Sequence, residues 1–249
     1  MLRNFAKEKY DIIVLAGQSN AAGSGIGPAE DPYMPTDDIW FLNEDFTISI
    51  AREYVWENET VGNFALSFAR KYVEEGRLKE GRKVLIIRSA VGGTGFLDKH
   101  WGLTDDLFLR MMDLIKAALE LNPENRLVAF LWHQGETDAG LNASRELHYN
   151  NLLNLICAVR DTFGCKALPF IAGDFVEQWK NDNIDICRPV IDAIKDVCAN
   201  IGHAAFVETD GLKSNDQMLG NQDTIHFCRD ALNKLGLRYY DAFCRIIDR

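Results

Sequence analysis

A serine, an aspartate–histidine pair and a set of small hydrogen-bond donors stand where they could support acyl transfer. Ser19 lies in Gly17-Gln18-Ser19-Asn20, straight after an apolar run, with little steric cover over its hydroxyl. A serine hydroxyl is a poor nucleophile at neutral pH and needs a base. Among the five histidines, His226 has Asp223 three residues before it. That spacing lets a carboxylate reach Nδ1, fix the tautomer and leave Nε2 free to take a proton. His133 directly follows another apolar run and competes for the role. His100 lies in a polar loop and could touch substrate, whereas His148, within a helical pattern, and His203, just before a strand, have structural settings. Gly92 and Gly93 allow a bare backbone N–H to approach a developing oxyanion, and Gln134 offers a side-chain NH₂.

Plainer readings stand beside these. Ser19 and Asp223 could each cap a helix, and the glycine pair could form a tight turn or a phosphate cradle. The cradle is poorly supported, because Gly23-Ser24-Gly25-Ile26-Gly27 misses G-x-G-x-x-G and no G-K-[ST] occurs. The G-x-S-x-G elbow is absent too, since Ala21 fills its last position. His133, Glu136 and Asp138 fit no standard zinc spacing, so neither metal nor cofactor is expected. Glu136 reads as a hydrogen-bond partner that orients other groups.

The elements that must position these residues are short apolar runs alternating with amphipathic stripes. Residues 11–16, 83–88, 127–132, 168–172 and 204–208 read as strands covered on both faces. Helical stripes follow: Phe64 to Val73, ended by Gly76; Leu107 to Leu119, capped by Thr104; Leu152 to Phe163; Val190 to Ile201, with Pro189 at its start; and Leu232 to Ile246. This alternation predicts a three-layer α/β/α sandwich with about five parallel strands, as one domain over residues 1–249. Ligands of such sheets bind outside the C-terminal strand ends. Four of the five runs deliver small or reactive polar residues to that rim. The stretch 20–61, rich in Gly, Pro, Asp and aromatics, reads as one long irregular loop.

Composition narrows the class. The 249 residues carry 37 acidic and 27 basic side chains, a formal net charge of −10. That balance argues against nucleic acid and against an anionic membrane surface as partners. At 47% hydrophobic residues the chain can build a substantial core. No apolar run is long enough to span a bilayer, and the N-terminus lacks a signal-peptide pattern, so a cytoplasmic location is expected. Cys157, Cys165, Cys187, Cys198, Cys228 and Cys244 form no C-x-x-C pair and read as reduced, mostly buried thiols.

Taken together, AGQSNAAGSG, SAVGGTGF, WHQGETDA and GLKSNDQMLGNQDTIHF, followed by ALNKLGLRYYDAF, resemble the SGNH hydrolases, or GDSL-type esterases. The likeness is closest to the carbohydrate-esterase branch of sialic-acid-specific acetylesterases and acetylxylan esterases, and it runs from Ala16 to Phe243. It implies a flavodoxin-like order, with the first strand central between the second and third. It implies Ser19 as nucleophile, His226 as general base and Asp223 as the residue orienting it. The implied oxyanion donors are the N–H of Ser19, an N–H at Gly93 or Gly92, and the Gln134 side chain, which stands where other members have Asn. Gln18, Asn20, His133, Glu136 and Trp101 are expected beside the substrate or supporting the site. Trp40, Phe41, Trp56 and Trp101 could form a sugar platform or belong to the core. The implied substrate is a small acylated carbohydrate, most simply an acetyl ester. A catalytically silent carbohydrate-binding relative and a lipid- or thioester-type esterase are the alternatives. Two departures, Ala21 where the branch often has Met and Ser24 where a basic residue is common, bear on acyl or sugar specificity. The oligomeric state is open.

Overall fold

Aliphatic runs become strands where helices can cover both of their faces. The computed structural model describes residues 2–248. After a 3₁₀ turn at Leu2–Phe5, the elements in chain order are β1 (Tyr10–Gly17), α1 (Ser19–Ala22), β2 (Ile39–Leu42), β3 (Ile48–Ile50), β4 (Tyr54–Trp56), β5 (Glu59–Val61) and α2 (Phe64–Glu74). Next come β6 (Lys83–Arg88), α3 (Asp106–Leu121), β7 (Arg126–His133), α4 (Glu136–Gly140) and α5 (Arg145–Thr162). The remainder is β8 (Phe170–Gly173), α6 (Glu177–Asp182), α7 (Ile184–Asn200), β9 (Ala204–Val207), α8 (Asn215–Leu219) and α9 (Arg229–Ile247).

Seven strands form the main sheet in the order β3-β2-β6-β1-β7-β8-β9. β1 lies between β6 and β7, parallel to both, so the expected central strand and its two neighbours are in place. Along β1, Ile12, Val14 and Ala16 face the layer of α3, α5 and α7. Ile13 and Leu15 face the layer of α2 and α9. This alternation makes a continuous apolar run behave as two interleaved core faces.

The sheet is wider than expected: seven strands rather than about five. The extra two come from the 20–61 stretch, which is not one irregular loop. β2 adds parallel to β6, and β3 returns antiparallel on its outer edge. Ile39–Leu42 is too short to show a period, and it becomes a strand through the ladder that β6 offers. β4 and β5 form a separate hairpin. Two helix starts also differ. α7 begins at Ile184, so Pro189 lies inside it. A turn forms first, as the Ile186 and Cys187 N–H groups both reach the Asn183 carbonyl. Asp105, not Thr104, precedes α3, its carboxylate turned back to accept the Gly102 N–H at 2.8 Å.

Cys187, Cys198 and Cys228 are buried, Cys165 and Cys244 partly so, and Cys157 is exposed. Among the described residues no helix is long and apolar enough to cross a membrane.

The end of the sheet opposite the reactive rim is fixed by Asp11, a fully buried carboxylate. Arg82 Nε and Arg126 Nε each donate to Oδ1 at 2.7 Å, and Tyr72 Oη donates to Oδ2 at 2.7 Å. Burial alone would raise its pKa, but the bonds from Arg126, Tyr72 and Arg82 hold it below the ordinary 3.8. A depressed carboxyl contributes stability that is full above its unfolded pKa and is lost as pH falls through the folded value. Asp11→Ala, which removes the shared acceptor of Arg82, Arg126 and Tyr72, is expected to cost about 1.5–3 kcal/mol in urea unfolding. The variant's stability should also fall less steeply than the wild type's below pH 3.8.

Candidate active site

Ser19 is the first residue of the short helix that follows β1. Its strand ends at Gly17, whose φ of +126° and close approach to His133 exclude a side chain: a Cβ would lie 2.9 Å from the His133 nitrogen. This closeness lets the Gln18 N–H reach the His133 carbonyl at 2.9 Å. At N1 of a helix, the Ser19 N–H has no intrahelical acceptor and stays available.

His226 comes from the segment between α8 and α9. Its Nε2 lies 2.9 Å from Ser19 Oγ, and its Nδ1 lies 2.9 and 3.0 Å from the two Asp223 oxygens. A serine and a histidine 207 residues apart in sequence thus share a hydrogen bond. Burial would raise the Asp223 pKa, but bonds from His226 and Asn215 hold it below the ordinary 3.8. An ionised carboxylate on Nδ1 keeps Nε2 as the acceptor of the serine proton.

Asn20 ties this segment down. Its Nδ2 donates to Glu136 Oε1 at 2.9 Å and to the Ile225 carbonyl at 3.1 Å, while its Oδ1 accepts the Phe227 N–H at 3.1 Å. Both neighbours of His226 are therefore held by the residue next to Ser19. Glu136 is almost fully buried, which pushes its carboxyl above the usual range. Gln18 Oε1 accepts the Thr137 N–H at 3.1 Å, joining the end of β1 to α4.

Sequence reasoning missed Asn215. Its Nδ2 donates to Asp223 Oδ2 at 2.9 Å and to the Ser24 carbonyl at 3.0 Å, and its Oδ1 accepts the Ile26 N–H at 3.0 Å. The side chain thus braces the aspartate against the loop after Ser19. The one available signal was the Ser214–Gln217 capping box, which starts α8 at Asn215.

A cleft of about 410 Å³ is lined by Gln18, Ser19, Gly92, Gly93, Glu136 and His226 among others. Gly92 is the glycine that lies against the serine, since a Cβ there would sit 3.5 Å from Ser19 Cβ. A Cβ on Gly93 would meet nothing within 4 Å, but φ is +70° there, a conformation suited to glycine.

Gln134 is turned away from the serine, while His133 and Trp101 are buried behind the rim. Gln134 is buried, and its Nε2 donates to Asp138 Oδ2 at 2.8 Å and to the Thr94 carbonyl at 3.3 Å. Both of its N–H groups are engaged away from the serine, because the buried Asp138 carboxylate demands donors and also takes the Phe96 and Leu97 N–H groups. His133 is fully buried, its Nδ1 3.0 Å from Tyr239 Oη. Burial lowers its pKa to about 3, so it stays neutral. Trp101 has no exposed surface. Its Nε1 donates to Thr94 Oγ1 at 3.0 Å and its ring meets Trp132 edge-on, so it supports the glycine loop from beneath. His100 pairs with Asp106 at the surface, and His148 is buried 3.4 Å from Asp138. Among the described residues no group of three or more His, Cys, Asp or Glu side chains could hold a metal ion.

The family model for carbohydrate esterases described as sialic acid-specific acetylesterase matches residues 9–245. A probable carbohydrate esterase of Arabidopsis thaliana is 23% identical over 258 residues, covering 93% of this chain and 89% of its own length. The crystal structure of NanS superposes with a TM-score of 0.77 at 17% identity, covering 96% of this chain and 98% of that one. A carbohydrate acetylesterase from Xanthomonas citri gives a TM-score of 0.62 at 17% identity, covering 95% of this chain and 56% of that one. At these identities the solved structures establish the shared fold.

Removing a donor from a carboxylate raises its pKa. Asn215→Ala is therefore expected to move the Asp223 titration up toward 3.8. Carboxyl-carbon NMR across the acid range would follow it, and an unmoved midpoint would contradict the bracing geometry.

Proposed function

Because this chain belongs to the carbohydrate esterase, sialic acid-specific acetylesterase family, we propose that it is a serine esterase removing O-acetyl groups from a carbohydrate through Ser19, His226 and Asp223. The observation that carries this reading is the unbroken relay Ser19 Oγ–His226 Nε2, His226 Nδ1–Asp223, all at 2.9–3.0 Å.

Ser19 Oγ attacks the ester carbonyl carbon while His226 Nε2 takes its proton. The carbonyl oxygen becomes an oxyanion, received by the N–H of Ser19 and the N–H of Gly92, the glycine lying against it. As the intermediate collapses, the bond to the alcohol oxygen breaks and the imidazolium proton passes to that oxygen. The sugar leaves and acetyl-Ser19 remains. Water, deprotonated by His226, then attacks the acyl carbon, and a second collapse returns the proton to Ser19 and releases acetate. Asp223 stabilises the imidazolium in both halves without taking its proton.

The carbohydrate part of the reading draws on the family and on the β4–β5 hairpin. Trp56 is 65% exposed, and with Tyr54 and Ile26 it lines a cleft of about 380 Å³ that shares Ser24 with the catalytic cleft. An aromatic face in that position suits the apolar face of a sugar ring. Of the expected platform residues, Trp56 supplies this surface, whereas Phe41 and Trp101 are buried.

Wild type is expected to hydrolyse p-nitrophenyl acetate and to prefer it to p-nitrophenyl octanoate. Ser19→Ala should lower kcat by at least about 10³-fold with unchanged melting temperature. Retained turnover would exclude Ser19 as nucleophile, and better octanoate turnover would point to a lipid-type esterase. Asn20→Ala should lower kcat much more than it changes KM, because it frees the His226 segment without touching the acyl group. Steady-state kinetics separate the two effects.

A further inference from the structure

A second carboxylate–histidine pair is buried under the glycine loop. Asp138, in α4, and His148, in α5, have no exposed surface. His148 Nδ1 faces Asp138 Oδ2 at 3.4 Å, and among the described residues the carboxylate has no other ion-pair partner. Neutral donors take the place of a cation. Oδ1 accepts the Leu97 N–H at 2.8 Å and the Phe96 N–H at 3.0 Å, while Oδ2 accepts from Gln134 Nε2 at 2.8 Å. Burial would raise the Asp138 pKa, but His148 and the two backbone N–H groups hold it below the ordinary 3.8. The carboxylate is therefore charged at neutral pH, and bonds to a charged acceptor are stronger than neutral ones.

All three donors bear on the loop that carries Gly92. The loop starts where the Val91 N–H reaches the Gly17 carbonyl at 3.1 Å. Gly92 then passes Ser19, and Gly93 turns the chain with φ of +70°. The Thr94 hydroxyl closes the turn onto the Val91 carbonyl at 2.7 Å, so the two glycines move with the loop's far end. That end belongs to Asp138. Gln134 also donates to the Thr94 carbonyl at 3.3 Å, and Phe96 and Leu97 donate to the carboxylate itself. Gly95 rests directly on it, since a Cβ there would lie 2.7 Å from Oδ1. The Phe96 ring meets His148 edge-on, with centroids 5.5 Å apart. The loop is thus pinned at one end to the strand that leads to Ser19 and at the other to Asp138, with Gly92 between.

We propose that Asp138 is a positioning residue for acyl transfer at Ser19. It acts through the Phe96 and Leu97 N–H groups and through Gln134, and it sets the height at which the Gly92 N–H meets the oxyanion. This role rests on the esterase reading. One oxyanion donor is worth about 10²–10³ in kcat, and about 1 Å of misplacement can cost about 10². A carboxylate that only stabilised the fold would not favour the transition state over the bound substrate.

Asp138→Asn keeps the side chain's shape and one acceptor oxygen for the loop. Gln134 can meet the new amide with its Oε1, which has no partner, so the variant is expected to fold. It loses the charge, and kcat on p-nitrophenyl acetate should fall about tenfold with KM within about twofold. Asp138→Ala, which leaves both backbone N–H groups unpaired, should lower kcat about 10²-fold. Melting curves restrict the comparison to folded chains. Methylboronic acid, which forms a tetrahedral adduct on a reactive serine, reads the oxyanion site directly. Its inhibition constant should rise in proportion to the fall in kcat. A folded Asp138→Asn chain with wild-type kcat overturns the proposal, as does a loss of activity with an unchanged boronate constant. Should Asp138→Ala fail to fold, Asp138→Asn decides alone. Absence of hydrolysis in wild type would remove the esterase reading and this role with it, whereas hydrolysis that Asp138→Asn leaves intact would remove the positioning role alone.

Discussion

One carboxamide holds the site together. Asn20 spends both N–H groups and its oxygen on Glu136, on the Ile225 carbonyl and on the Phe227 N–H, linking the ends of β1 and β7 to the segment before α9. His226 sits between the two residues so gripped, and its height over Ser19 follows from that grip. The side chain has no exposed surface, so water does not compete for these bonds. In such surroundings a satisfied polar group is rigid, and an unsatisfied one is costly. The precision of the serine–histidine contact therefore derives from the residue adjacent to the serine as much as from the aspartate behind the histidine.

The same device recurs around the rim. Gln18 reaches α4 through the Thr137 N–H, and Asp138 gathers the Phe96 and Leu97 N–H groups of the glycine loop. Asn215 braces the aspartate against the loop after Ser19. Apolar packing sets where the layers lie, but it is non-directional and leaves loop conformation loose. Buried polar side chains, each bonded to backbone in a neighbouring loop, supply the direction. At the far end of β1, Asp11 gathers Arg82, Arg126 and Tyr72 in the same way. The central strand is thus anchored by hydrogen-bonded side chains at both ends and by aliphatic packing between them.

Some of this was legible in residue order. The five long apolar runs marked strands covered on both faces, and β6 has the bounds its pattern gave, Lys83–Arg88. β2 and β3 were not legible, because three or four residues carry no period and a strand of that length exists only against a neighbour's ladder. Pro189 read as a helix start because proline prefers that position. The Asn183 carbonyl had already begun the helix a turn earlier, a contact no local pattern announces. Trp101 was open to two readings, a sugar platform or core, and nothing in its local sequence chose between them. Its burial follows from the fold of the glycine loop over it.

Residue order by itself determined the strand–helix alternation and the rim on which polar segments converge, and it put Asp223 within reach of His226 without choosing that pairing over a helix cap. Those features depend on neighbours within a few residues or on a period that repeats along the chain. Only the tertiary structure decided that His226 rather than His133 meets Ser19, and that Gln134 is turned to Asp138 rather than toward the serine. It also decided that Arg110 takes Glu44, 66 residues away in sequence. Each of these is a competition among donors and acceptors far apart in sequence. The winner is set by distances that exist only once the sheet and its rim have formed.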